Sequence, residues 1–231
     1  VVDTVLHNGV AYTMNSPEAK LAETNWKWIR GYTIKSGANF NLDEYNNIFF
    51  NLGYISKAPR FNNVYYYDNT LFRDIKNEVV QAIEGGYSFR SSKFSANLNG
   101  YYTLWQNKPS NGGVTVLVDD VTYRANINGM DALHKGIEMD FSYKILPNLG
   151  VEGLMSLGDW KWMSSDTVRF LDDNNSPITD DFGTEIIATF DADGVHVGDA
   201  AQTQFGLSIR YEPSYNSYVK LRSTYFDNYY A

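Results

Sequence analysis

The sequence predicts an all-β chain, an antiparallel up-and-down meander of about eight long strands. Three observations predict it. Apolar and polar residues alternate with a period of two through most of the chain, while helix-period patterning is hard to find. The alternating stretches run roughly 9 to 14 residues, longer than the five or six of an ordinary strand. Their connections alternate too, short then long, which puts all short turns at one end of the sheet and all long loops at the other.

In chain order, residues 1–27 are expected to hold loop and a partial strand; Val1-Val2-Asp3 has no initiator Met and no basic stretch, so any secretory signal lies outside these residues. The first long strand covers 28–40 and turns through Asn41 to Asn46 into 47–57. A long loop, 58–78, precedes 79–90, and Arg90-Ser91-Ser92-Lys93 turns the chain into 93–106. Phe94, Ala96, Leu98, Gly100, Tyr102 and Leu104 line one face of that strand; Ser95, Asn97, Asn99, Tyr101, Thr103 and Trp105 line the other. A second long loop, 107–133, leads to 134–145, where Ile137, Met139, Phe141, Tyr143 and Ile145 oppose Gly136, Glu138, Asp140, Ser142 and Lys144. Leu146-Pro147-Asn148 joins it to 149–162. The third long loop, 163–202, precedes 203–211, in which Phe205, Leu207, Ile209 and Tyr211 oppose Gln204, Gly206, Ser208 and Arg210. A turn at Pro213-Ser214-Tyr215-Asn216 starts the last strand, 217–229.

In a soluble sandwich the apolar faces meet across a core. In a transmembrane barrel they point to lipid, and the polar faces line a wet lumen. Long strands with short turns at one end and long loops at the other favour the barrel. Tyr54, Tyr87, Tyr102, Tyr143, Tyr211 and Tyr225 fall at apolar-face positions towards strand ends, and Trp28 also falls on the apolar face, as an interfacial girdle requires. A mean hydropathy of -0.38 does not oppose this, because only every second residue meets lipid. The rival reading is a secreted or surface β-rich module presenting a Tyr-rich face to carbohydrate.

The 231 residues carry 19 Lys+Arg and 27 Asp+Glu for a net charge of -8. Nine of the acids and only Arg169 among the bases lie between Met163 and Gln202, so the whole excess sits in one loop and the rest is neutral. An acidic balance argues against nucleic acid as a partner. The absence of Cys removes disulfides, thiolate metal sites and cysteine nucleophiles.

Several runs then become recognisable. Asn51-Leu-Gly-Tyr-Ile-Ser-Lys-Ala-Pro-Arg60-Phe61 resembles the strand by which TonB-dependent outer-membrane receptors exit towards the cell surface. Glu78 to Tyr87, with Glu84-Gly85-Gly86-Tyr87, resembles that family's following strand, and Gly136-Ile137-Glu138-Met139-Asp140-Phe141 is similar to its Gly-Val-Glu-Leu-x-Phe strand. Val197-Gly198-Asp199-Ala200-Ala201-Gln202-Thr203, Arg210-Tyr211-Glu212-Pro213 and the ending Tyr225 to Ala231 look like the Bacteroidetes branch. The resemblance covers residues 28–231 in order. It implies a segment of a barrel of about 22 strands, with the N-terminal plug and its TonB box outside these residues. It also implies outer-membrane localisation with long loops outside and short turns in the periplasm. The implied partners are the TonB complex through the plug, membrane lipid and an imported scarce ligand such as an iron chelate, a carbohydrate or a cobalamin-like molecule. No cofactor and no enzymatic activity are implied.

In such receptors, ligand contact falls on the long loops and the upper lumen wall. By position the candidates are Arg60, Tyr65, Tyr66 and Tyr67 in the first long loop, and Trp105, Trp160 and Trp162 on the polar face at strand ends. Their rings can stack on sugars or catecholate chelates, and Arg60 can pair with an anion. His7, His134 and His196 lie far apart in sequence and form no nucleophile motif. Asp191-Ala-Asp193-Gly194 has calcium-loop spacing, but position 202, where an EF-hand needs an acid, is Gln. Asp172, Asp173, Asp191 and Asp193 remain weak calcium candidates.

Overall fold

A computed structural model of the chain describes residues 4–7, 10–13, 16, 26–65, 71, 75–109, 114–125, 127, 129–172, 176–198 and 200–230. In chain order the strands are β1 (Thr4–His7), β2 (Val10–Thr13), β3 (Tyr32–Asn41), β4 (Asn46–Lys57), β5 (Glu78–Arg90), β6 (Phe94–Lys108), β7 (Val114–Val118), β8 (Val121–Ala125), β9 (Met130–Leu146), β10 (Leu149–Trp162), β11 (Asp166–Arg169), β12 (Ile187–Phe190), β13 (Ala201–Ser214) and β14 (Ser217–Tyr229). One sheet holds the eight long strands in the order β14-β13-β10-β9-β6-β5-β4-β3; the pairs β1-β2, β7-β8 and β11-β12 are separate ribbons. The long strands are all antiparallel neighbours, as the alternating connections require.

Register explains why alternation along the strands becomes two different surfaces. One row across the sheet reads Phe40, Ile48, Tyr87, Leu98, Met139, Met155, Phe205, Tyr225, with one apolar residue from each strand. The next row reads Asn39, Phe49, Gly86, Asn99, Glu138, Ser156, Gln204, Phe226 and is mostly polar. Among the described residues no second sheet covers the apolar face: Leu98 is 47%, Ile137 51% and Leu207 52% exposed. A sandwich would bury such residues; a lipid-facing wall leaves them uncovered.

Small turns close the regular end. Asp43 organises the β3–β4 turn by accepting hydrogen bonds from the backbone N–H of Tyr45 and of Asn46, both at 2.8 Å. The Asn46 side-chain amide donates to both Asp43 oxygens, at 2.8 and 2.7 Å. This is an Asx turn, in which a side-chain oxygen substitutes for a backbone acceptor. The Tyr45 N–H first, then Asn46, holds the Asp43 carboxyl below its ordinary range.

The opposite end carries the buried core. Ile127, Met130 and Ala192 are buried together, with Val114, Trp162 and Val168 packed against them. The second and third long loops each fold into a ribbon, β7-β8 and β11-β12, and these pack around the ends of β9 and β10. The alternation test did not resolve ribbons of four and five residues. The first strand also starts later than expected: β3 begins at Tyr32, and Trp28 precedes it at 87% exposure, so Trp28 lies beyond the sheet.

The acidic loop is tied to the wall despite its charge. β13 pairs with β10 only as far as Leu157 opposite Thr203. Beyond that point residues 194–197 take its place: Val197 N–H donates to the Trp160 carbonyl, Trp162 N–H to the Val195 carbonyl and Gly194 N–H to the Trp162 carbonyl, each at 2.9 Å. Gly194, at φ +78, makes the turn that allows this approach. Gln202, 2% exposed, fills the gap in the ladder. Its Oε1 accepts Trp160 N–H at 2.9 Å, and its Nε2 donates to the Trp160 and Val197 carbonyls at 3.1 Å. The carboxylates of Asp180, Asp181, Glu185, Asp191 and Asp193 stay exposed while the backbone beneath them is laddered.

Candidate functional site

The three candidate tryptophans gather on the polar face at the loop end. His134 lies between two of them, its ring centroid 6.3 Å from Trp105 and 5.5 Å from Trp160. Lys108 stands over Trp105 at 4.6 Å and over Trp162 at 5.2 Å, and Lys57 over Trp105 at 5.1 Å. These distances are those of cation–π contacts.

A β-bulge makes this arrangement possible. In the regular ladder Trp105 faces Ala132, but past a register shift Lys108 faces Met130. The extra residue is accommodated at Asn107, with φ 52, a left-handed conformation that Asn tolerates better than most. Without the shift, alternation would send Lys108 to the apolar face; with it, Lys108 returns to the tryptophan side. The bulge is secured at both ends: Asn107 N–H donates to Asp131 Oδ1 at 3.0 Å, and its side-chain amide donates to the Asn77 carbonyl at 3.1 Å.

Each indole is fixed by its N–H or by its neighbours. Trp105 Nε1 donates to Glu78 Oε2 at 3.0 Å, and the same oxygen pairs with Lys57 Nζ at 2.9 Å. Glu78 is 1% exposed, so this ion pair anchors a carboxylate that would be costly to bury alone. Trp160 Nε1 donates to the Tyr101 hydroxyl at 2.9 Å. Tyr101 in turn lies across Gly136, where a Cβ would come within 2.5 Å of both the Tyr101 oxygen and the Leu157 carbonyl oxygen. Only glycine lets ring and neighbouring backbone approach this closely. His134 Nδ1 is buried and has no hydrogen-bond partner among the described residues.

The remaining candidates are placed as follows. Arg60 is exposed and precedes a short 3-10 turn, Phe61–Asn63, its carbonyl accepting Asn63 N–H at 2.8 Å. Tyr65 packs on Phe61 with centroids 4.9 Å apart. Tyr66 and Tyr67 lie outside the described residues, as does Asp173. Asp172 accepts Ser176 N–H at 2.7 Å within a local turn, and Asp191 accepts the Ser165 hydroxyl at 2.5 Å across the β11–β12 ribbon. Among the described residues no three of His, Asp or Glu converge as a metal site. Sequence reasoning selected the tryptophans but not Tyr101, Glu78, Lys57 or Lys108 beside them. The polar-face parity of Tyr101 and Trp105 was the available signal; the Asn107 bulge that brings Lys108 in had none.

An antiparallel sheet with one continuous uncovered apolar face, a hydrogen-bonded polar face and a loop cap at one end is the wall of a membrane β-barrel. The chain belongs to the family described as "TonB dependent receptor-like, beta-barrel", whose profile matches residues 11–231. Among solved structures it is similar to "The FrpB iron transporter from Neisseria meningitidis (F3-3 variant)", at 15% identity and a TM-score of 0.48, covering 77% of this chain and 23% of that one. It is also similar to "Copper transporter OprC", at 13% identity and a TM-score of 0.47, covering 81% of this chain and 33% of that one. The matched region thus spans only 23% and 33% of the length of these two proteins. No curated protein matches it.

Proposed function

We propose that the chain is part of the barrel of a Bacteroidetes-type TonB-dependent receptor that binds and imports a scarce ligand, with its apolar face in lipid and its long loops outside the cell. The observation that carries this reading is the gathering of Trp105, Trp160 and Trp162 around His134 on the wet face, directly beneath the loop cap. Such a wall suits a ring-bearing ligand: flat indoles stack on sugar or catecholate rings, and Lys57 and Lys108 attract anionic substituents. Arg60, Tyr65, Tyr66 and Tyr67 on the first long loop complete the proposed contact set. The plug and its TonB contact, supplied by the rest of the parent protein, would transmit the energy for release.

Intrinsic tryptophan fluorescence tests the site. A panel of a ferric catecholate, a neutral oligosaccharide and a corrinoid is titrated against the membrane-embedded protein and its Trp160→Phe and Lys108→Gln variants. One panel member is expected to change the emission, with affinity falling about threefold in Trp160→Phe, which leaves a smaller ring to stack on. Equal affinities in parent and variants would overturn the placement. The orientation is tested separately: the chain has no cysteine, so a nitroxide on Ile137→Cys reports one place. It should be reached by oxygen dissolved in lipid and shielded from an aqueous nickel chelate, whereas one on Glu138→Cys should show the reverse.

A further inference from the structure

We propose that Lys135, Asp159 and Lys161 form a seat for the phosphate of a lipid headgroup at the outer edge of the membrane. The proposal rests on the orientation given above. All three residues lie on the apolar face. Lys135 follows Ile137 by one alternation step on β9, and Asp159 and Lys161 follow Leu157 on β10, while Ile137 and Leu157 are partners in register. On β9 and β10 the next positions towards the loops on that face are Lys135, Asp159 and Lys161, while Leu133 and Leu104 carry the apolar face on beside Lys161. Tyr102 pairs with Lys135 and Ile83 with Tyr102, so the seat is flanked by an exposed phenol.

The geometry is that of a divided cation. Lys135 Nζ lies 3.3 Å from Asp159 Oδ2, and Lys161 Nζ lies 3.3 Å from Asp159 Oδ1. One carboxylate thus spaces two ammonium groups and leaves a net charge of about +1. An ammonium has three N–H donors. With Asp159 taking one from each, the others have no partner among the described residues, and the Lys135 and Lys161 side chains are 49% and 40% exposed. Charged groups on a lipid-facing surface are costly at the bilayer centre and favourable at its edge, where lysine reaches the headgroups. On the other side Lys161 faces His196 in the segment laddered to β10, with the exposed Asp193 in the turn before it, and farther along the sheet Asp227 of β14 accepts the Tyr225 hydroxyl at 3.0 Å. A phosphate bridging the two ammonium groups fits this charge pattern; a zwitterionic headgroup, whose own cation would meet theirs, fits it poorly.

The test uses the intact protein in neutral detergent micelles, titrated with phosphatidic acid and read by native mass spectrometry. Lys135→Gln combined with Lys161→Gln is expected to weaken retention about thirtyfold, about fivefold for each basic residue at an anionic surface. Asp159→Asn, which frees both ammonium groups, is expected to tighten it about fivefold, a gain that misfolding cannot produce. Unchanged retention in either variant overturns the proposal, as does equal retention of phosphatidylcholine. Displacement of the lipid by roughly 10 mM inorganic phosphate, where a Debye length of about 30 Å leaves contact charge pairs little screened, would assign the site to a free anion instead. The nitroxide at Ile137→Cys separates the two levels. A lipid-exposed label with lysine-independent retention sinks the headgroup seat alone; a water-exposed label sinks the orientation and the seat with it.

Discussion

The two ends of the sheet are held by different means. At the turn end, register and a few local bonds suffice: the Asp43 turn is exposed, and among the described residues no buried core covers either face of the strands beside it. At the loop end, Met130 and Ala132 are fully buried, a bulge re-aims Lys108, and Gln202 completes an interrupted ladder. Where lipid serves as the apolar solvent, a wall needs only the correct alternation. Where the chain rises beyond it, burial must come from the chain itself, and non-local contacts return. Trp105, Trp160 and Trp162 sit at this junction, so the cap governs their placement.

The largest effect that would break this contrast is expected from Met130→Ala. Met130 has no exposed surface and centres the core formed with Ile127 and Ala192. Removing a buried Met side chain costs about 2–5 kcal/mol. The cost should fall on the cap: amide hydrogen exchange in β7, β8, β11 and β12 should accelerate at least tenfold, while β6 between Phe94 and Tyr102 keeps its protection. Equal acceleration in β6 would show that cap and wall unfold as one unit and dissolve the distinction.

A smaller effect is expected at the bulge. Asn107→Val places a β-branched residue at φ 52 and removes the bond to the Asn77 carbonyl, which together cost about 2 kcal/mol. Asn107→Gly keeps the backbone conformation and loses only the side-chain bond. The Val variant should shift Trp105 emission by moving Lys108 away from the ring, and the Gly variant should not. The same emission from both would mean that Lys108 does not depend on the bulge.

The wall was legible in the sequence because its physics is local. Alternation gave all eight strands within a few residues, and the short turns gave their pairing. Register at the junction was not legible. Counting back from the two-residue turn at Pro147-Asn148 pairs Leu146 with Leu149, and continuing that count would set His134 opposite Lys161. A shift at Leu149/Gly150 places His134 opposite Trp160 instead. An odd residue in a ladder exchanges the faces, so one unseen bulge separates a scattered set of side chains from a cluster. The ribbons in the acidic loop were hidden for a related reason. Their strands are four residues long, and the bonds that hold 194–197 to β10 run to a partner more than thirty positions away.

The smallest effect tests the turn end. The Asp43 carboxyl is stabilised as an anion by the Tyr45 and Asn46 donors, so its folded-state pKa lies below the unfolded value of about 3.9. A lowered carboxylate contributes stability that is complete above the unfolded value and is lost as pH falls through the folded one. Exchange protection of the amides at Tyr45 and Asn46 should therefore be flat from about pH 7 down to about pH 5, after correction for the intrinsic rate, and fall below about pH 4. Asp43→Asn should remove that fall and leave the cap unchanged, because Asp43 lies at the opposite end of the sheet from it. If protection at the turn is the same in both proteins below about pH 4, the Asp43 hydrogen bonds do not hold the turn, and the wall relies on register alone at that end.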